Sequence, residues 1–361
     1  MKKALHGLCV ITFAGAMFGA GEANAQSYTF TTLGGVGGTE SSAWGINDAG
    51  QVVGGANCGS TSCAVLWNGA TATNLGVGYA RSINNAGQVV GLADGHPALW
   101  KDATATDLGN LGGTSGGVAL AINGSGTVVG WSKMPGNNNY SPTLWNGAVA
   151  TDLGSFLGGT GISATGINNA GQVVGISSTT GNVAHATFWS GATVTDLGTL
   201  GGDYSGANGI NNAGQVVGFS NTTGNVATHA TLWNGMTATD LGTLGGVFSE
   251  AYSINNLGQA VGITYDVNGY FRATLWNGAA IIDLNNFLDA SSVSAGWVLT
   301  VARGINEQGM IVGQAVNFQT NLSSAFLLTP VPEPETYAML LAGLGVIGAV
   351  SRRRVESKRA T

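Results

Sequence analysis

Few residue sets in this sequence have the types and spacing for chemistry, and most of them recur at a fixed place in a longer pattern. Gly113-Thr-Ser115-Gly-Gly117 fits G-x-S-x-G, the spacing that lifts a nucleophilic serine out of a strand-to-helix turn. Its sister segments read Gly-Thr-Glu-Ser and Gly-Asp-Tyr-Ser and no helix is expected after it, so a nucleophile elbow is not the reading. Gly343-Leu-Gly345-Val-Ile-Gly348 fits G-x-G-x-x-G, but it lies inside an apolar run with no strand before it, where a dinucleotide fold would need one. His96, His185 and His229 occupy one equivalent position in successive copies of a repeat. They therefore fall on different structural units and cannot share one metal. Asp107, Asp152, Asp196, Asp240 and Asp283 also recur, with Asn74 and Thr32 in their place elsewhere. A position open to Asn and Thr accepts loop hydrogen bonds rather than exchanging protons. No carboxylate pair suited to glycoside hydrolysis stands out, and no cofactor or metal is expected. Cys58 and Cys63 are the two cysteines left once an exported leader is removed, and they are read as a disulfide within one loop.

The elements that must position any site come from a nine-residue device, I-N-x-x-G-x-x-V-G. It begins at Ile46, Ile83, Ile122, Ile167, Ile210, Ile254 and Ile305, with steps of 37, 39, 45, 43, 44 and 51 residues. Repetition at that period marks a repeat architecture. The device is a hairpin, in which apolar residues enter a tight turn whose Gly takes a left-handed backbone and Val-Val begins the return strand. Each unit then adds x-Ala-Thr-Leu-Trp, an Asn-Gly turn (Asn68-Gly69, Asn146-Gly147, Asn234-Gly235, Asn277-Gly278) and Ala-Thr-Asp-Leu. Ser190-Gly191 substitutes in one unit, and Lys101-Asp102 is a weaker turn in another. Four short strands, a to d, in about 40 residues make one propeller blade. The fold expected is all-β: a seven-bladed β-propeller of four-stranded antiparallel blades. Trp67, Trp100, Trp145, Trp189, Trp233 and Trp276 close strand c in successive units, and a periodic Trp packs between blades. The last unit lacks a strand d, and Tyr28-Thr-Phe-Thr-Thr-Leu33 supplies one, closing the final blade; an open solenoid would need polar caps instead.

Composition narrows the function. Residues 26–330 carry 14 Asp and Glu against 5 Lys and Arg, a net charge of −9. A weakly charged acidic body with Arg81, Lys101, Lys133, Arg272 and Arg303 scattered along it lacks the basic footprint that nucleic acid requires. The a–b and c–d turns share one rim and barely vary. The b–c and d–a loops share the other and do, which places binding there. Tyr140, Tyr204, Tyr265 and Tyr270 are the candidate ligand-binding residues, together with the amides Asn137, Asn138, Asn139 and Asn268. The net charge points to a neutral or cationic polysaccharide.

The ends are addresses. Lys2 and Lys3, an apolar run from Ala4 to Ala20 and Ala23-Asn24-Ala25 form a signal peptide over residues 1–25, with Cys9 inside it. After the body, 26–330, residues 331–361 hold Pro332-Glu333-Pro334, a fourteen-residue apolar helix from Tyr337 and then Arg352, Arg353 and Arg354. Fourteen residues of helix span about 21 Å, short of the roughly 30 Å hydrocarbon core, so the helix is a transient inner-membrane anchor with its arginines on the cytoplasmic side.

This tail resembles the PEP-CTERM sorting signal of Gram-negative bacteria, on the order and spacing of its Pro-Glu-Pro triplet, short helix and arginine cluster. The resemblance implies an exosortase as partner, export through the inner membrane to the cell surface or matrix, and a producer of extracellular polysaccharide. The body resembles the HAF-repeat family of exported proteins over about residues 28–328, on I-N-x-x-G-x-x-V-G and x-A-x-L-W. That likeness implies a compartment and a fold but no reaction. The function expected is a non-catalytic, surface-sorted interaction module of the polysaccharide matrix; the alternative is a propeller enzyme, hydrolase or lyase, acting on extracellular glycans.

Overall fold

The computed structural model describes residues 27–331 except 114–115, 135, 137–139, 156–160, 180 and 182. The signal peptide, the sorting tail with Pro332, Glu333, Pro334 and Arg352–Arg354, its apolar helix, Ser115 and Asn137–Asn139 lie outside the described residues. Among the described residues no helix is long and apolar enough to cross a membrane.

The described chain, Tyr28–Val331, is one compact unit of β-propeller-like, four-stranded antiparallel ladders. A representative ladder runs Gly201–Ile210 (a), Gln215–Thr222 (b), Thr228–Asn234 (c) and Thr237–Asp240 (d), each strand pairing antiparallel with the next. The pattern recurs along the chain. In one place a single long strand, Thr71–Ile83, serves two ladders: its first half is strand d of one and its second half strand a of the next. The N-terminal strand Tyr28–Leu33 pairs with Leu322–Pro330, in register from Tyr28 opposite Pro330 to Leu33 opposite Ala325. It occupies the d position beside the last strand c, as its sequence suggests.

The turns obey their glycines. The Gly of the a–b turn has φ between +74° and +86° in the copies at Gly50, Gly87, Gly126, Gly171, Gly214, Gly258 and Gly309, a region closed to most side chains. The c–d turns differ from the sequence reading. Asn68 pairs with Thr71 and Asn277 with Ala280, so the Asn ends the strand and the following Gly is the first of two turn residues. Only that Gly has positive φ, the pattern of a type II′ turn rather than the I′ turn that Asn-Gly suggests. Where Gly is missing, Asp102 and Ala103 both adopt positive φ, 51° and 63°, and the hairpin still closes.

The core lies between ladders. Val174, Ala186 and Leu197 of one unit pack with Val216 and Trp233 of the next, and Val53 and Ala64 pack with Val89 and Trp100. The six tryptophans are 0–2% exposed, each removing on the order of 200 Å² from water, about 5 kcal/mol. Four of them also donate across the junction: Trp67 Nε1 to the Gly34 carbonyl at 2.6 Å, Trp100 to Leu75, Trp145 to Gly109 and Trp189 to Gly154. The disulfide Cys58–Cys63 is present, but it ties strand Gln51–Cys58 to strand Thr61–Asn68 across a hairpin, not within one loop.

A second set of bonds runs around the structure. The Asn of each I-N pair is 2–5% exposed. Its Oδ1 accepts from the backbone N–H groups two and four residues on; for Asn168 these are Ala170 at 3.1 Å and Gln172 at 3.0 Å. Its Nδ2 donates to the carbonyl of the equivalent Asn in the next unit. The series runs Asn47 to Asn84, Asn84 to Asn123, Asn123 to Asn168, Asn168 to Asn211, Asn211 to Asn255 and Asn255 to Asn306. Asn306 then donates to the Asn47 carbonyl at 3.0 Å, 259 residues back. Among the described residues the series therefore closes on itself with seven members.

Asn168→Ala should cost roughly 1–3 kcal/mol by urea denaturation, since it leaves two partly buried turn amides without their acceptor and removes the bond to the Asn211 carbonyl; a loss under about 0.5 kcal/mol would show that these bonds carry no stability. Removing residues 26–35 should expose strand Leu322–Pro330 as an open edge and lower the melting temperature by on the order of 10 °C or more. An unchanged melt would remove the N-terminal strand from the stabilising architecture.

Candidate functional site

Strand a carries one residue more than the strand it pairs with. Ala207 faces Gly218 and Gly209 faces Val217, leaving Asn208 without a partner; the same shift recurs at Trp44, Arg81, Leu120, Thr165, Tyr252 and Arg303. This is a β-bulge, which disrupts the ladder at one residue and re-aims that side chain. Three neighbours make it possible. The preceding Ala (Ala43, Ala80, Ala119, Ala164, Ala207, Ala251, Ala302) is 0% exposed in every copy. The Gly that follows Val-Val in strand b, or Ala-Val in one copy and Ile-Val in another, lies so close to strand a that a Cβ would overlap a carbonyl oxygen, that of Ser163 for Gly175 and of Glu250 for Gly262. The residue after the bulge is small because strand a of the next unit approaches it: a Cβ on Gly45 would come within 3.1 Å of the Arg81 carbonyl, and one on Gly209 within 3.0 Å of the Tyr252 carbonyl.

The bulged residues converge. Trp44, Arg81, Leu120, Thr165, Asn208, Tyr252 and Arg303 line one central cavity of about 210 Å³. Ile46, Ile83, Ile122, Ile167, Ile210, Ile254 and Ile305 line both this cavity and a second one of about 200 Å³ that also holds Asp48 and Glu307. The isoleucines thus partition two mouths of one channel. The bulge cavity lies toward the start of strand a, on the side of the variable d–a connections. On the opposite mouth the backbone N–H of Glu307 donates to Asp48 and that of Asp48 to Asn85. Burial, with the Asp48 charge added, raises the Glu307 carboxyl above its ordinary value.

Two cations face the bulge cavity. The Arg81 guanidinium carbon sits 4.3 Å from the Trp44 ring centre and 5.9 Å from that of Tyr79; that of Arg303 sits 4.9 Å from the Tyr252 ring. Such contacts hold a guanidinium without neutralising it. Among the described residues neither arginine has an ion pair, and both Nε atoms are buried without a hydrogen-bond partner. Burial and then the charge of Arg303 lower the Arg81 proton affinity. The acid that feels the Arg303 charge, Glu250, is engaged elsewhere. It accepts from Asn208 Nδ2 at 2.9 Å on one oxygen and from the Tyr252 hydroxyl at 3.1 Å on the other. Burial pushes its carboxyl above the ordinary range, with the Asn208 and Tyr252 bonds and the Arg303 charge opposing. Burial likewise raises the Tyr252 hydroxyl, with the Glu250 charge adding to it.

The tyrosines singled out from sequence sit elsewhere. Tyr140, Tyr204 and Tyr265 lie on strands rather than in loops, paired with local aromatic rings: Tyr140 with Trp131 at 4.6 Å, Tyr204 with Phe219 at 5.5 Å, and Tyr265 with Phe248 at 5.1 Å and Phe271 at 4.7 Å. Tyr270 is 63% exposed, in the turn after Asp266. That turn is organised by Asp266, which accepts from the N–H groups of Asn268 and Tyr270 and from Arg272; the Tyr270 amide, burial working against it, and then Arg272 hold its carboxyl below the usual range. Tyr265 and Tyr270 thus share one unit, whereas Tyr140 and Tyr204 stand on others. The strand-d aspartates accept turn N–H groups as expected, for example Asp196 from Gly198 at 2.8 Å. His185 and His229 contact Asp196 and Asp240 at 2.7 Å across the sheet. Among the described residues no group of His, Cys, Asp or Glu is placed to hold a metal.

Sequence reasoning passed over the cavity residues although the signal was present. Lined up on I-N, the repeat reads Ala, variable, small, Ile, Asn, and the variable place holds Trp, Arg, Leu, Thr, Asn, Tyr and Arg in turn. A position free to change between fixed neighbours faces something other than the core. The five basic residues are scattered in sequence, yet Arg81 and Arg303 meet in one cavity because the chain returns on itself.

Residues 330–354 match the PEP-CTERM protein-sorting motif, which marks an exported, surface-sorted protein. No curated relative matches the chain. Among solved structures the chain is similar to TolB from Acinetobacter baumannii (10% identity, covering 78% of this chain and 79% of that one, TM-score 0.44). It is also similar to a gluconolactonase from Xanthomonas campestris (10% identity, 88% and 99%, TM-score 0.40) and to a sialidase from Trypanosoma rangeli (11% identity, 87% and 56%, TM-score 0.40).

The raised Glu250 carboxyl sets a pH dependence. The folded protein binds this proton more readily than the unfolded chain, so its contribution is present below the unfolded value and lost as pH rises through the folded one. The melting temperature of the native protein, relative to Glu250→Gln, should therefore rise between pH 7.5 and pH 5, by about 2–4 °C per kcal/mol of linkage. A pH-independent difference between the two would mean that Glu250 is not perturbed by folding.

Proposed function

We propose that this exported, surface-sorted protein is a seven-bladed β-propeller of the HAF-repeat kind that holds a ligand at the bulge-lined mouth of its central channel, as a non-catalytic component of an extracellular polysaccharide matrix. The observation that carries this reading is the bulge position itself. Seven side chains of six kinds converge on one cavity while the residues on either side of each are fixed by packing. The seven-member asparagine series and the pairing of Tyr28–Leu33 with Leu322–Pro330 support the closed, seven-bladed form. An exosortase is the partner implied by the sorting motif.

Binding without turnover is favoured by the make-up of the cavity. Glycoside hydrolysis ordinarily needs two carboxyl groups at a set spacing, whereas here one carboxylate stands beside the site with both oxygens taken by Asn208 and Tyr252. A second reading, hydrolase or lyase action on a glycan, has the Glu250 carboxyl in its favour, because a raised carboxyl is suited to proton transfer.

The test fills the cavity. The bulge position already accepts Trp, Tyr and Arg in other units, so Thr165→Trp should fold. It should lower retention on the producer's purified matrix polysaccharide at least tenfold, while Tyr140→Ala leaves retention unchanged. Full retention by a folded Thr165→Trp protein would place binding outside the channel, and product release from the polysaccharide that Glu250→Gln abolishes would establish the enzyme instead.

A further inference from the structure

Resting on that reading of the channel mouth, we propose that the group captured there is an anion: the carboxylate or sulfate of an acidic sugar, held by Arg81 and Arg303. The net charge of the body argues for a neutral or cationic ligand, but net charge acts at long range and is screened beyond about 8–10 Å in physiological salt. The local inventory is different. Of the five basic residues of residues 26–330, two face this one cavity, and their charges are felt by one another.

Each arginine is fixed by an aromatic ring contributed by the unit before it, Trp44 for Arg81 and Tyr252 for Arg303. Around the ring the order is Tyr252, Arg303, Trp44, Arg81, so Arg303 and Arg81 stand in the units on either side of Trp44, near enough for the Arg303 charge to act on Arg81. A ring face orients a guanidinium and leaves its N–H donors free. Nothing else in the described residues takes them up, and the two buried Nε groups have no partner. Glu250, the acid on which the Arg303 charge acts, has its oxygens committed to Asn208 and Tyr252. Asp48 and Glu307 lie on the far side of the isoleucine partition. Two like charges brought together with unfilled donors are costly to the apo protein and match an oxyanion, which accepts paired N–H groups from an arginine fork. The cavity, about 210 Å³, admits a charged substituent with part of one sugar ring, so a chain would present its acidic groups at the mouth without threading through.

Titration calorimetry with the full-length protein tests this with three oligosaccharide probes: an oligogalacturonate, the same chain with its carboxylates reduced to alcohols, and a sulfated neutral oligomer. The native protein should bind at least one charged probe and bind the reduced chain at least tenfold more weakly. Arg81→Gln and Arg303→Gln, which remove the charge and the guanidinium fork but keep a polar side chain, should each weaken binding about 10–100-fold, and 0.5 M salt should do the same. Preference for the carboxylated or the sulfated probe identifies which anion is taken. Equal binding of charged and reduced chains, or full affinity in the folded Arg81→Gln/Arg303→Gln double variant, overturns the anion assignment. If Thr165→Trp still abolishes binding in that case, the channel remains the site and only the ligand class is wrong.

Discussion

One hydrogen bond, repeated, fixes the geometry on which everything else depends. The Nδ2 of each I-N asparagine reaches the backbone carbonyl of the next, and the same side chain closes its own turn through Oδ1. Asn alone suits this place. Aspartate would bring a second acceptor to a carbonyl, and a shorter or apolar side chain would strand the buried turn amides. Because the bond joins neighbours directly, the innermost strands are held at a constant separation. That separation is why the residue after each bulge must be small, while Gly175 and its equivalents admit no Cβ because strand a of their own ladder lies against them.

Such strictness concentrates variation. Strand a is constrained by Ala behind it, Ile and Asn ahead of it and a Gly across from it, so only the bulged residue can change without disturbing a neighbour. A bulge is a local defect in the ladder; repeated in register around a centre, it becomes a set of independently replaceable positions. The scaffold and the recognition surface therefore share a strand yet do not compete for the same residues, and the polar or charged side chains in the channel cost the hydrophobic core between ladders nothing.

Most of the architecture was legible in the sequence because the repeat carries it. Hairpins followed from Gly at the turns, and packing between units from the recurrent Trp. The closing partner of Leu322–Pro330 followed from the missing strand d. What escaped were features that depend on distance between units. Nothing local to Asn168 says that its amide reaches Asn211, and the variable place between Ala and Ile-Asn shows as a bulge only when the units are lined up with one another. The rim tyrosines were misplaced for a related reason. Tyr140, Tyr204 and Tyr265 look like loop aromatics when loops are drawn too long, whereas strands c, a and b of their units extend to include them and pair their rings locally. Arg81 and Arg303 looked unrelated because 222 residues separate them along the chain.

The pairing of the first strand with the last has a bearing on timing. A chain exported amino end first delivers Tyr28–Leu33 at the outset and Leu322–Pro330 at the very end, so the earliest strand must wait, unpaired, for almost the whole body to emerge. Intermediate lengths have ladders but no circumference, and the bond from Asn306 to Asn47 cannot form in any of them. Contacts so distant in sequence are slow to form. Completion of the fold is thus tied to arrival of Pro330, which is also the residue at which the match to the sorting motif begins.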